Sequence, residues 1–141
     1  MAPPFFSPGL DSRSFKQIKF DIPVHVRLFD KSNNRPLTSF APARVANFSA
    51  QGVYLLVKQI IVDGTHLATN ALGSDTVTIE LGMAAPEGGG TITETTVDWY
   101  NQGKDKNGQK VYELGLKVLK DGHKMKKQLK RLAASHQAEV E

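Results

Sequence analysis

Apolar and polar residues alternate along most of this chain, and the alternation shifts phase in one informative place. FDIPVHVRLF over 20–29 puts Phe20, Ile22, Val24, Val26 and Leu28 on one side of a strand. Pro23 fits only an edge or an early position in it, because proline cannot donate to a ladder. DKSNNRP at 30–36 is a turn, and a second strand is expected over about 37–48. A third runs from Val53 to Val57. Residues 58–75 keep neither period and read as a short helix or an irregular loop. TVTIEL (76–81), TITETTVDW (91–99) and VYELGLKVL (111–119) return to the period of two. APEGGG (85–90) and Asn107-Gly108 supply the turns between them. The period then changes again: Met125, Leu129 and Leu132 make one apolar stripe of an amphipathic helix, with Asp121 placed to cap its start.

Strands separated by short turns, followed by one helix, predict an all-β fold: a six-stranded antiparallel barrel with a C-terminal helix. The expected division is a flexible, proline-bearing tail over 1–12, a barrel over 13–120, and the helix and tail over 121–141. No apolar run approaches the roughly 20 residues of a membrane span. MAPPFFSPGL has no basic flank and does not read as a secretory signal, so the expected location is the cytoplasm.

Composition removes several kinds of chemistry. Among the 141 residues there is no cysteine, which excludes disulfides, thiolate metal sites and thiol nucleophiles. His25, His66, His123 and His136 form no close ligand pair, and neither an HExxH nor a GxSxG motif occurs. No metal site and no catalytic constellation is therefore expected. Gly88–Gly90 lacks the following helix and Lys-Ser/Thr of a phosphate loop.

The net charge of +4 is unevenly placed. Residues 1–116 balance 11 bases with 11 acids, whereas 117–131 hold seven bases and one acid. Such a run serves as a solvated helix face or faces an anionic partner. Lys124, Lys126, Lys127, Lys130 and Arg131 have no interleaved aromatics, which argues against nucleic acid.

The phase shift lies in RVANFSAQGVYLLV (44–57), where Asn47, Ser49 and Gly52 interrupt the alternation. A glycine after a polar kink marks a bulge, a close backbone approach, or a plain turn in which Asn and Ser bond nearby backbone. Asn47-x-Ser49-x-x-Gly52 resembles the second signature of PilZ domains. FDIPVHVRL is similar to that family's first strand, VDW at 97–99 to its late strand ending in Trp, and YELGLKVL at 112–119 to its closing strand, with a helix after it. The resemblance covers about residues 13–132.

That resemblance implies a bacterial, non-catalytic receptor of cyclic di-GMP built on a six-stranded barrel. The family's first signature, Arg-x-x-x-Arg, falls on Arg13-Ser14-Phe15-Lys16-Gln17, so Gln17 stands where the second arginine would be. An arginine matches the O6/N7 edge of guanine with two parallel donors, and stacks on a base or holds a phosphate. The resemblance gives Arg13 that role, Lys16 a phosphate, Asn47 and Ser49 a guanine, and Gly52 an unobstructed floor. Gln17 donates hydrogen bonds without charge; losing one charge-assisted bond of about 1.5–3 kcal/mol weakens binding about tenfold to a hundredfold. Lys16 and Lys19 are neighbouring cations, though neither reproduces the arginine fork. The other reading is a degenerate PilZ domain that has lost the dinucleotide and works as a protein–protein adaptor in motility or pilus machinery. Either way a protein partner is expected to receive the signal.

Overall fold

Strand β1 (Ile22–Asp30) buries Ile22, Val24, Val26 and Leu28 and leaves Pro23 and His25 exposed, as its alternation requires. The computed structural model describes residues 18–84, 90–105 and 107–134. The expected tail over 1–12, the residues Arg13, Lys16 and Gln17, and most of the 85–90 turn lie outside the described residues.

Among the described residues nine strands and two helices follow in order: β1, β2 (Arg35–Pro36), β3 (Ala41–Phe48), β4 (Gly52–Val57), β5 (Ile61–Val62), β6 (Thr65–His66), α1 (Leu67–Ala71), β7 (Val77–Ala84), β8 (Gly90–Lys104), β9 (Lys110–Val118) and α2 (Gly122–Ala133). Antiparallel pairing runs β1–β3–β4–β9–β8–β7, and β7 pairs back onto β1. Six strands thus close into a barrel with a C-terminal helix, the architecture read from the sequence. Closure leaves no open edge on these strands. The interior is filled by aliphatic side chains, among them Ile22, Leu28, Leu55, Ile79, Leu81 and Leu114, all 0% exposed.

Several local expectations differ from the structure. The strand expected over 37–48 begins only at Ala41. Thr38 is drawn out of line because its Oγ1 accepts the Leu28 amide at 3.1 Å, and the Ser39 amide donates to Asp63 Oδ2 at 2.7 Å. That bond, with the Ser39 side chain, holds the Asp63 carboxyl below the usual carboxylate range. The strand expected to end at Trp99 runs on to Lys104, because β9 supplies partners for its polar end out to Lys110.

The ambiguous stretch 58–75 holds both a hairpin and a helix. β5 and β6 flank Asp63-Gly64, whose φ values of 52° and 79° are those of a two-residue hairpin turn. Helix α1 follows, capped by His66, whose Nδ1 accepts from the amides of Ala68 at 3.2 Å and Thr69 at 3.1 Å. Its buried face of Leu67, Ala68 and Ala71 joins the core.

Asp121 sits at the start of α2 but its side chain makes no capping bond. The residue is left-handed (φ 60°), and only its carbonyl engages the helix, accepting the Met125 amide at 3.0 Å. The stripe on α2 is Met125, Leu129 and Ala133, with Leu132 half-buried beside them. Gln128 fixes this helix against β8, its Oε1 accepting from Thr91 Oγ1 at 3.3 Å. Among the described residues no helix is long and apolar enough to cross a membrane.

Candidate functional site

Strand β3 points Ala41, Ala43 and Val45 inward and Pro42 and Arg44 outward. Unbroken, that alternation would aim Asn47 into the apolar barrel, where an amide would need buried partners. The register instead shifts between Val45 and Asn47. Ala46 is the extra residue of a β-bulge and is buried along with Val45. Asn47 then pairs with Tyr54 on the outer side, and Phe48 pairs with the buried Val53 and packs on the core. The polar interruption in the sequence is thus a device that turns one amide outward while keeping the strand in the sheet.

The bulge also ties down the chain that leads into β1. The Ala46 carbonyl accepts the amides of Lys19 at 2.8 Å and Phe20 at 3.0 Å. Phe20 packs its ring against Phe48, with centroids 5.2 Å apart. The segment that follows Gln17 therefore runs directly beside Asn47.

Beyond Phe48 the motif behaves as a tight turn. The Ser49 amide donates to the Gly52 carbonyl at 2.9 Å, and Ser49 Oγ accepts the Gln51 amide at 3.2 Å. Gly52 is there for packing: a Cβ would lie 2.9 Å from the Leu116 carbonyl oxygen on β9. Gly122, the first residue of α2, lies against the Ala50 carbonyl of the same turn so closely that a Cβ would overlap it. The turn is where β4, β9 and the helix meet.

Between the bulge and α2 lies a cleft of about 460 Å³. Lys19, Phe20, Asn47 and Phe48 form the barrel side, and Lys126 and Lys130 with Ala133 and Ala134 form the helix side. Three lysines, one asparagine and two phenylalanines line this space, and no acidic residue lines it among the described residues. Asp21, the nearest acid in the chain, is paired with Arg44 at 3.5 Å. Such a surface suits a flat, anionic guest. Asn47 Oδ1 accepts the Phe48 amide at 2.9 Å, which orients the side chain and leaves a second lone pair on that oxygen.

Of the residues marked in the sequence, the structure places Asn47 in the cleft with Lys19. Ser49 and Gly52 adjoin it along the chain but do not line it. Phe20, Phe48, Lys126 and Lys130 are further members. The two lysines belonged to a basic run whose facing was undetermined, and their spacing of four residues was the one signal that they share a side of a helix.

A second group lies on the outer wall. Tyr54, Gly115 and Trp99 stand side by side across β4, β9 and β8. Tyr54 donates its hydroxyl to Glu113 Oε1 at 3.1 Å, and its ring lies 6.1 Å from that of Trp99. Glu113 is 3% exposed, so its carboxylate depends on such donors. Tyr54→Phe removes one of them and is expected to cost about 1 kcal/mol, measurable by urea denaturation at unchanged slope. A variant as stable as the parent would mean that the phenol contributes only its ring.

Among the described residues no group of three or more His, Asp or Glu side chains could hold a metal ion. No protein-family model matches the chain, and no curated protein matches it. Two solved structures are similar in fold. One is K. pneumonia MrkH in its apo state, with 13% identity, a TM-score of 0.48, and coverage of 82% of this chain and 47% of that one. The other is the Borreliella burgdorferi PlzA protein in complex with c-di-GMP, with 11% identity, a TM-score of 0.45, and coverage of 93% and 52%. This chain spans about half the length of each.

Proposed function

We propose that this chain is a bacterial, cytoplasmic PilZ-type domain that binds cyclic di-GMP in the cleft beside Asn47 and performs no chemistry on it. One observation carries the reading. The bulged Asn47 and the chain leading in from the degenerate first signature are joined at the Ala46 carbonyl, at the edge of a cleft lined by three lysines. Arg13 precedes Lys19 by six residues in the sequence, and on this reading it is the arginine that joins the cleft.

The chemistry follows from the groups present. Asn47 offers Oδ1 to the N1–H and N2–H₂ donors of a guanine, and its amide donors to O6 or N7. Arg13 would grip the other guanine edge or a phosphate, with Lys16, Gln17 and Lys19 assisting. Phe20 and Phe48 give a ring surface for a base. The turn at Ser49 and Gly52 fixes the bulge in place and, on this reading, supports the site from beneath. Signal output would pass to a protein partner through the surface that binding reorganises.

Titration calorimetry with cyclic di-GMP, with GTP as control, tests the proposal. The expected result is heat and a raised melting temperature with the dinucleotide alone. Arg13→Ala should weaken binding by about tenfold or more, and Gln17→Arg should tighten it about tenfold, one charge-assisted bond each. The absence of both heat and a melting shift at tens of micromolar cyclic di-GMP would overturn it.

A further inference from the structure

We infer that Lys126 and Lys130 of α2 are phosphate-anchoring residues of this cleft, so that an anionic ligand bridges the barrel and the C-terminal helix. The inference deepens the cyclic di-GMP reading and rests on it for the identity of the ligand. Neither lysine falls within either sequence signature.

The argument begins with the helix register. Met125, Leu129 and Ala133 are buried on one face of α2. At 100° per residue, Lys126 and Lys130 fall together just beyond the Ala133 border of that stripe. Lys126 is half-buried there and Lys130 is exposed. The helix cannot roll them away freely. Its start is held where Gly122 abuts the Ala50 carbonyl, and its middle is held by the Gln128–Thr91 bond. Both lysines therefore line the cleft because the fold puts them there.

Their charge has no acidic partner among the described residues. Among the described residues neither Lys126 nor Lys130 forms an ion pair, whereas Lys31, Lys58 and Lys120 each do. Like charges four apart on a helix repel each other. With Lys19 on the opposite side of the cleft, three lysines and, among the described residues, no acid line a space of about 460 Å³. An anion seated there relieves the repulsion, and a guest with two phosphates and two bases matches the three cations and the Phe20–Phe48 wall. The same arrangement supplies positive charge that Gln17 lacks. Lysine holds a phosphate as a point charge without a bidentate fork, so this contribution should be strongly screened by salt.

The experiment compares Lys126→Gln/Lys130→Gln with Lys127→Gln/Arg131→Gln, which removes the same charge from exposed positions of α2 outside the cleft. Circular dichroism melts establish that both variants fold like the parent. Titrations use cyclic di-GMP, GTP and inorganic pyrophosphate at two salt concentrations. The expected result is that cyclic di-GMP affinity falls about tenfold or more in the first variant and its salt dependence flattens, while the second variant changes little. Lys126→Arg/Lys130→Arg should retain binding. Equal losses in both glutamine variants would mean a diffuse field and overturn the inference. Parent-like binding by the first variant would overturn it and leave the receptor reading intact. A parent that ignores cyclic di-GMP but binds GTP or pyrophosphate through these lysines would sustain the anion site and reject the receptor reading. A parent that binds none of the three would reject both.

Discussion

Gly115→Ala is expected to destabilise the protein by about 3 kcal/mol, the upper end for an overpacked site, and to lower its melting temperature by about 10 °C. Gly115 faces outward in the middle of β9, between Tyr54 on β4 and Trp99 on β8. The indole of Trp99 lies over it, and a Cβ would overlap three atoms of that ring. An indole is rigid, so it must lift as a whole. Lifting it strips away the contacts that keep Trp99 at 8% exposure and disturbs the Tyr54 ring beside it. Because Trp99 is the chain's one tryptophan, its fluorescence reports the displacement directly as a red shift. The decisive measurement is the sign of the same substitution in a Trp99→Ala background. With the indole gone, alanine in place of glycine in a strand should be neutral or stabilising by about 0.5–1 kcal/mol. An equal penalty in both backgrounds would place the clash elsewhere.

The barrel was legible because the physics that builds it is local to each strand. FDIPVHVRLF alternates because one face of β1 is buried against the interior, and no other strand is needed to see that. The polar break at Asn47 was legible as a bulge or a turn, and it proved to be both: Ala46 makes the bulge and Ser49 closes the turn. The hairpin within 58–75 escaped because its strands are two residues long, too short to show a period, although Asp63-Gly64 was a turn signal in plain view. The cleft was half legible. Asn47 and Lys19 are neighbours of the motif, but Lys126 and Lys130 lie about eighty residues further along the chain. What brings them there is the docking angle of α2, and that angle depends on how closely Gly122 approaches Ala50. A contact between two backbones leaves no trace in hydrophobic periodicity.

Gly122→Ala tests that approach, and it reverses an ordinary rule. Inside a helix, replacing glycine by alanine gains about 1 kcal/mol. Here the helix-forming residue has no room: its Cβ would overlap the carbonyl oxygen of Ala50 and crowd the carbonyl carbon 3.0 Å away. The turn cannot retreat, since the Ser49 amide is bonded to the Gly52 carbonyl and the Val118 amide to the Gln51 carbonyl, each at 2.9 Å. The helix must move instead, and with it the stripe of Met125, Leu129 and Ala133 that closes the core. The expected outcome is a loss of about 3 kcal/mol rather than a gain. The damage should be local first, because α2 can lift while the six-stranded closure persists. Limited trypsin digestion reads this out: cleavage after Lys126, Lys127 or Lys130 should accelerate well before the barrel is cut. A variant that melts at or above the parent temperature, with unchanged digestion, would show that the turn and the helix are not held against each other. The link between the Asn47 bulge and the helix lysines would then lose its mechanical basis.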